Sequence, residues 1–127
     1  MARSGALPKM NSVKNKANPE LRRERNSKLR ISISLGGAMA SADIREQLDY
    51  VKEAEKLGVH SVWTVEGWGY DAVTPLAYLA GHTNRIKLGT SIMQISARTP
   101  ANTAMTALSL ANISENRFLL GLGNSGP

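Results

Sequence analysis

The sequence has no cysteine and no long apolar run. Without cysteine there is no disulfide framework, no thiolate metal site and no cysteine nucleophile. Its apolar stretches fall short of the roughly 18 to 20 residues that a membrane-spanning helix needs, so we expect no membrane association. These features fit a reducing compartment, and we expect a cytoplasmic protein.

Several signatures of catalysis are also missing. The chain contains neither the G-x-G-x-x-G fingerprint of dinucleotide-binding folds nor the G-x-x-x-x-G-K-[ST] motif of a P-loop. His60 and His82 are isolated from each other, and we predict no metal site. Glu66 and Asp71 are five residues apart on one loop, which is not the paired-carboxylate pattern of acid–base hydrolysis.

The positive charge lies at one end of the chain. Residues 1–30 carry nine Lys or Arg and two Glu, a net charge of +7. Residues 31–127 carry seven Lys or Arg and eight Asp or Glu, a net charge of −1. We interpret residues 1–29 as a disordered basic tail and residues 30–127 as the folded domain. A nucleic-acid-binding arm is a less favoured interpretation of this tail. Another is an upstream-extended start of translation, with Met10 as a second start.

From residue 30 onward the hydrophobic period alternates between that of a strand and that of a helix. Four strands are predicted, at residues 31–35, 59–65, 86–92 and 118–122, and the last is apolar enough to be buried on both faces. Period, glycine and proline signals predict three helices between them. The first helix has Ser41 as N-cap, Asp43 in the first turn and Gly58 just past the end, and its apolar face is Ile44, Leu48, Val51, Ala54 and Leu57. The second runs over Thr74–Ala80 with Pro75 at its first position. The third is capped by Thr99 and runs to about Ile113, with an apolar stripe of Ala101, Ala104, Met105, Leu108 and Ala111.

This order of elements favours a parallel sheet with right-handed crossovers. Two architectures fit it, a doubly wound sheet and part of a barrel, and periodicity leaves both open. In either one, ligands bind where the strands end at their carboxyl edge. The segments at that edge are residues 36–40, 66–71, 91–98 and 123–127. We therefore expect any functional site to be built from these four segments.

Two stretches resemble a known family. Residues 54–100, AEKLGVHSVWTVEGWGYDAVTPLAYLAGHTNRIKLGTSIMQISARTP, resemble the luciferase-like monooxygenase superfamily, and within it the oxidoreductases that use the deazaflavin coenzyme F420. Residues 117–127, RFLLGLGNSGP, resemble that family's fourth strand and the loop after it. The resemblance covers residues 31–127. It implies a TIM-type (β/α)₈ barrel, of which this chain would be an N-terminal fragment with the first four strands and three helices.

The resemblance also implies a cofactor site at the carboxyl-end face. Glu66 matches an acidic residue that lies beside the deazaflavin ring, although Gly67 replaces the alanine or histidine expected next to it. Ser91-Ile92 matches a non-proline cis peptide that backs the ring. The implied cofactor-binding residues are Glu66, Gly67, Ser91, Ile92, Gln94, Asn124 and Ser125. The loops that carry them add Trp68, Tyr70, Ser96 and Arg98 as residues that could border the pocket or reach the ring edge or phosphates.

The residues themselves leave plainer interpretations open. Glu66 could cap the next helix, Arg98 could be a solvated surface charge, and the Ser91-Ile92 peptide could be trans. The implied reaction is hydride transfer between coenzyme F420 and a small organic substrate, in a protein whose full-length relative is a homo-oligomer. The alternatives are an FMN-dependent monooxygenase and a non-catalytic half-barrel remnant that dimerises or binds a partner. No catalytic residue or substrate is assigned.

Overall fold

The computed structural model describes residues 29–37, 42–67 and 69–124. The predicted tail apart from Leu29, the predicted cap Ser41, and the candidate site residues Trp68 and Ser125 lie outside these ranges. Within them the helices are α1 (Ile44–Lys56), α2 (Thr74–Ala80) and α3 (Pro100–Ile113). The strands are β1 (Ser32–Ser34), β2 (Ser61–Thr64), β3 (Lys87–Thr90), β4 (Met93–Gln94), β5 (Phe118–Leu119) and β6 (Leu122–Gly123).

The strands form a parallel α/β sheet, as predicted. In the described part of the chain, the main sheet has the order β1-β2-β3-β5 and the short strands β4 and β6 pair beyond its carboxyl edge. Both sheets are parallel throughout. No helix within the described ranges has both the length and the apolar character that crossing a bilayer requires.

The two faces of the main sheet differ in chemistry. Ile33 points to the helices and packs against a core of buried apolar side chains. Its neighbours Ser32 and Ser34 point the opposite way, and the register places them beside Ser61 and Trp63. The helix side is therefore apolar, and the opposite side is rich in hydroxyl groups. The core residues are Leu35, Leu48, Val51, Val62, Leu76, Leu79, Ala80, Ile86, Leu88 and Leu110.

Helix α1 agrees with its sequence pattern except at its start. Leu48, Val51 and Ala54 are buried on its inner face, whereas Leu57, predicted for the same face, is the C-cap and is 78% exposed. Gly58 has the positive φ of +84° expected just past a helix end. The prediction that placed Asp43 in the first turn is wrong. Asp43 is itself the N-cap, because its Oδ1 accepts a hydrogen bond of 2.7 Å from the Arg45 N–H.

The third predicted strand is shorter than predicted, with β4 past its predicted end, and the fourth is divided in two. Residues 86–92 and 118–122 were predicted as continuous strands, but β3 ends at Thr90 and β5 ends at Leu119. The physical reason is a side-chain contact, since the Thr90 hydroxyl accepts from the Gly121 N–H at 3.0 Å and donates to its carbonyl at 2.8 Å. The fourth strand is also not buried on both faces. Leu120 and Leu122 are 43% and 46% exposed, because β5 is the edge of the sheet.

Helix α3 has its predicted bounds and cap, but its apolar stripe faces outward. The Thr99 hydroxyl accepts from the Asn102 N–H at 3.2 Å. The stripe of Ala101, Ala104, Met105, Leu108 and Ala111 would ordinarily be the buried face of an amphipathic helix. Instead, Met105 and Leu108 are 61% and 72% exposed, and the helix buries Thr103 and Leu110 on its other side. The 14 residues include no charged side chain, so both sides of this helix are suited to burial.

Two charged residues hold the segment between α2 and β3 from opposite sides. The Glu55 carboxylate accepts hydrogen bonds of 2.6–2.9 Å from three successive N–H groups, those of residues 84, 85 and 86. The guanidinium of Arg117 is 8% exposed and donates to the carbonyls of Ala80, Thr83 and Ile86 and to the Thr83 hydroxyl, at 2.9–3.0 Å. Burial acts to raise the pKa of Glu55, but the three N–H donors outweigh it and the pKa lies below its ordinary value.

Candidate functional site

The candidate site lies at the carboxyl edge of the sheet, where the chain leaves β2 and passes from β3 to α3. Glu66 follows β2 by two residues and Gln94 ends β4. The Gln94 N–H donates a hydrogen bond of 2.7 Å to Oε2 of Glu66. The structure thus brings together two predicted site residues that are 28 positions apart in the sequence.

Glu66 forms a bidentate ion pair with Arg98. Nη1 and Nη2 of Arg98 lie 2.8 and 2.5 Å from Oε2 and Oε1 of Glu66, and the two side chains are 15% and 11% exposed. The hydrogen bonds from Arg98 lower the pKa of Glu66; burial opposes them, and the Gln94 N–H adds to them. Arg98 is therefore not a solvated surface charge, and Glu66 is ionised at neutral pH.

The next helix is capped by Asp71 and not by Glu66. Oδ1 of Asp71 accepts hydrogen bonds of 2.7 Å from the N–H groups of Val73 and Thr74. Burial acts to raise the pKa of Asp71, but the hydrogen bonds from Thr74 and Val73 and the charge of Arg98 bring it below its ordinary value. Sequence reasoning did not assign Asp71 this role, although an Asx turn two or three residues before a helix is a recognisable signal.

The Ser91-Ile92 peptide is cis, as the family resemblance implies. Ser91 is exposed, and its N–H donates to the carbonyl of Thr64 at the end of β2, at 2.7 Å. Ile92 is half-buried and lies against Gly123, where a Cβ atom would come within 2.7 Å of its Cδ1. These two residues therefore connect the ends of β2 and β6.

A concavity of about 350 Å³ opens on the hydroxyl-rich side of the sheet. It is lined by Ser32, Ile33, Ser34, Trp63 and Ser91. The indole of Trp63 lies directly over Gly89, where a Cβ atom would overlap its six-membered ring. The indole N–H donates to Oγ of Ser61 at 3.0 Å, and that oxygen lies 2.6 Å from Oγ of Ser32. Of these lining residues, sequence reasoning identified Ser91 and missed the other four, although the alternation of Ser32 and Ser34 in the first strand was a usable signal.

The other predicted site residues are less closely connected. Asn124 is exposed and follows Gly123, which pairs with Gln94 and accepts a hydrogen bond of 3.0 Å from the Ile95 N–H. Gly67 pairs with Tyr70 across a tight turn, and both are exposed. Ser96 is exposed on the loop before α3. The structure gives none of these a contact with Glu66.

The residues of this carboxyl-edge site lie in a stretch of the chain that matches a known protein family. The sequence model of the luciferase-like monooxygenase family matches residues 28–127. The chain belongs to this family.

Individual members of the luciferase-like family agree in sequence and fold. A protein of Mycobacterium tuberculosis described as a coenzyme F420-dependent oxidoreductase is 44% identical over 104 residues, 82% of this chain and 29% of that protein. The coenzyme F420-dependent tetrahydromethanopterin reductase from Methanopyrus kandleri superposes with a TM-score of 0.69 at 26% identity, over 76% of this chain and 27% of that one. A monooxygenase from Streptomyces bottropensis superposes with a TM-score of 0.67 at 28% identity, over 77% and 34%.

These superpositions confirm the predicted fold, a partial TIM-type barrel of parallel strands and covering helices. They also show that the chain spans about 29% of the length of the Mycobacterium relative and 27% of the Methanopyrus structure. The hydroxyl-rich side of the sheet corresponds to the interior of the barrel, because the helices of such a barrel form its outer ring.

Proposed function

We propose that the chain forms part of a coenzyme F420-dependent oxidoreductase that acts on a small organic molecule. The observation that carries this proposal is the 44% identity over 104 residues, 82% of this chain, to the Mycobacterium relative. The superposition on the Methanopyrus reductase supports the same cofactor. Its cytoplasmic location stays a prediction.

The described residues fit a planar ring cofactor. Ser34 and Ser91 line the concavity at the carboxyl ends of β1 and β3, which is the face where ligands of such barrels bind. A deazaflavin bound there would supply hydride transfer, while the protein would bind it, orient it and exclude water. Ser91, Ile92, Gln94 and Asn124 would provide backbone and side-chain contacts at one edge, with the ionised Glu66 behind them.

An FMN-dependent monooxygenase is the second candidate. The superposition on the Streptomyces monooxygenase, with a TM-score of 0.67 at 28% identity, supports oxygenase chemistry on this frame. The described residues would contact the ring system of either cofactor, and a deazaflavin and a flavin resemble each other in that part. The two candidates are therefore separated by a direct comparison of the two cofactors.

We expect coenzyme F420 to bind the 127-residue chain weakly, because the chain spans only 27–34% of the length of the relatives compared above and most contacts to the cofactor's phosphate tail would be missing. A titration followed by ¹⁵N–¹H spectra should show no submicromolar binding. At millimolar cofactor, the amide signals of residues 91–95 and 124 should move. A larger response to FMN at equal concentration would favour the second candidate. Submicromolar binding, or shifts confined to other residues, would contradict the expectation.

We also propose that the protein self-associates through the outward face of α3. Met105 and Leu108 lie on this face; each is two residues, or roughly 200° around the helix, from a buried residue, Thr103 and Leu110 respectively. Neighbouring helices of the same barrel pack against the flanks of α3 and would not cover the side opposite the sheet. The non-catalytic alternative, a half-barrel that dimerises, shares this surface, so self-association does not separate the two.

We expect Leu108→Glu to shift the chain toward the monomer, because the new carboxylate would have to lose its water in a charge-free apolar contact. Sedimentation velocity over a range of concentrations measures the effect. Tyr50→Glu is the matched control, since Tyr50 is an exposed large side chain (45%) on α1. A wild-type chain that stays monomeric at every concentration, or an equal shift in both variants, would contradict the assignment.

A further inference from the structure

The ion pair between Glu66 and Arg98 differs from a surface salt bridge in burial and geometry. The side chains of Glu66 and Arg98 are 11% and 15% exposed, whereas those of the surface pair Glu53 and Lys56 are 61% and 73% exposed. Water screens the surface pair, so it should contribute little to stability. Removal of one partner from the buried pair would leave an uncompensated charge with few water contacts.

The buried pair joins segments that are distant in sequence. Glu66 follows β2, and Arg98 directly precedes Thr99, the N-cap of α3. The same carboxylate accepts from the Gln94 N–H at 2.7 Å, and Gln94 pairs with Gly123 of β6. Two of the four segments at the carboxyl edge of the sheet thus meet at one carboxylate group, and a third is connected to it through the pairing of Gln94 with Gly123.

This geometry limits what each side chain can do. Nη1 and Nη2 of Arg98 both donate to Glu66, so two of the five N–H groups of its guanidinium are committed to this carboxylate. Hydrogen bonds from Arg98 keep the pKa of Glu66 low against the effect of burial, and the nearby charge of Asp71 raises it slightly. Glu66 is therefore a fixed carboxylate and not a proton donor at neutral pH.

We propose that Arg98 is a positioning residue. Its ion pair with Glu66 holds residues 91–98 against the carboxyl end of β2 before any cofactor binds. A preformed surface saves the entropy that binding would otherwise lose in ordering this segment. The ion pair of Arg98 with Glu66 does not depend on what the protein binds. Its benefit for coenzyme F420 rests on the proposed function.

The Gln94 amide signal reports on this arrangement directly, because its N–H is bonded to Glu66. In the wild-type chain its chemical shift should titrate with a midpoint below the ordinary pKa of a glutamate side chain. In Arg98→Gln the midpoint should rise, and the amides of residues 93–95 should exchange with solvent deuterium roughly ten-fold faster. Arg98→Lys keeps the charge without the two-pronged geometry and should restore part of both. Lys56→Gln, in the exposed pair, should change neither.

Stability should follow pH with a defined sign. The folded pKa of Glu66 is lowered, so the stability that the pair contributes is present above the unfolded value of about 4.3 and is lost as pH falls through the folded value. Arg98→Gln should lose much of this acid-dependent part. Glu66→Gln is the second variant, and its amide oxygen can still accept from the Gln94 N–H. In this variant the Gln94 amide signal should not titrate in this pH range, and the Gln94 amide should also exchange faster than in the wild-type chain.

An unchanged Gln94 midpoint in Arg98→Gln, or unchanged exchange in both variants, would overturn the proposal whatever the cofactor does. The response to millimolar coenzyme F420 tests the benefit. The cofactor-induced shifts of residues 91–95 should be at least halved in Arg98→Gln and partly restored in Arg98→Lys, and equal shifts in all three proteins would overturn the positioning role. A wild-type chain that titrates as expected but does not respond to the cofactor would count against the proposed function alone.

Discussion

Replacement of Arg117 by methionine should destabilise the domain by about 3 kcal/mol or more, because three buried carbonyls and a hydroxyl would each lose their guanidinium donor. Methionine fills a similar volume and brings no charge, so the loss would report on the hydrogen bonds. The segment between α2 and β3 would then be held from one side only, by Glu55. Denaturant unfolding measures the change.

Two further variants define how this result is interpreted. Arg117→Lys keeps the charge but has one nitrogen in place of the fork, so we expect a loss smaller than that of methionine. Arg45→Met removes an arginine from the exposed start of α1 and should change the free energy of unfolding by less than about 0.5 kcal/mol. If Arg117→Met unfolds at the same denaturant concentration as the Arg45 variant, the buried network does not stabilise the fold.

The features predicted correctly from the sequence are those set by neighbouring residues. The buried face of α1 follows from the spacing of Leu48, Val51 and Ala54 along one helix. The cap at Thr99 is likewise local, because a threonine before a proline satisfies the first free N–H groups of a helix. Parallel pairing followed from the alternation of strands and helices, which leaves a crossover as the simple connection.

The features that were mispredicted depend on contacts across the chain. The break after Thr90 comes from its hydrogen bonds with Gly121, a residue 31 positions away, and no local period encodes such a contact. The outward stripe of α3 was ambiguous for a related reason. An apolar face indicates that a helix packs against another surface, but it does not indicate whether that surface is the domain's own sheet or another element.

In the candidate site, too, some features could be predicted from the sequence and others depend on contacts across the chain. Resemblance to the family identified Glu66 and the Ser91-Ile92 peptide, and the structure has the cis geometry that it implied. Whether these residues bind a cofactor stays a prediction. The pairing of Glu66 with Arg98, 32 residues apart, could not be read from spacing, because either side chain alone has several ordinary roles on a loop. Only the fold shows that each is the other's partner.

Substitution of Gly121 by alanine should be the most damaging change near the candidate site. An added Cβ atom would overlap the carbonyl oxygen of Thr90, and backbone cannot move aside as a flexible side chain can. The Gly121 carbonyl also accepts from the Met93 N–H at 2.8 Å, so the displacement would reach β4. We expect a loss of about 2–4 kcal/mol in the free energy of unfolding, with large shifts of the amide signals of residues 93–95 and 122–124.

Thr90→Val separates the steric effect from the hydrogen bonds. Valine has nearly the same shape but lacks the hydroxyl that bonds both the N–H and the carbonyl of Gly121, so we expect a smaller loss of about 1–3 kcal/mol. Gly81→Ala is the matched glycine control: its φ is −74°, and an added Cβ would lie 3.7 Å from the nearest atom, the Tyr78 carbonyl oxygen. That variant should be neutral or slightly more stable. If Gly121→Ala unfolds at the same denaturant concentration as Gly81→Ala, the close approach of Gly121 to Thr90 does not fix the carboxyl edge, and the segment carrying Asn124 must be held by other contacts.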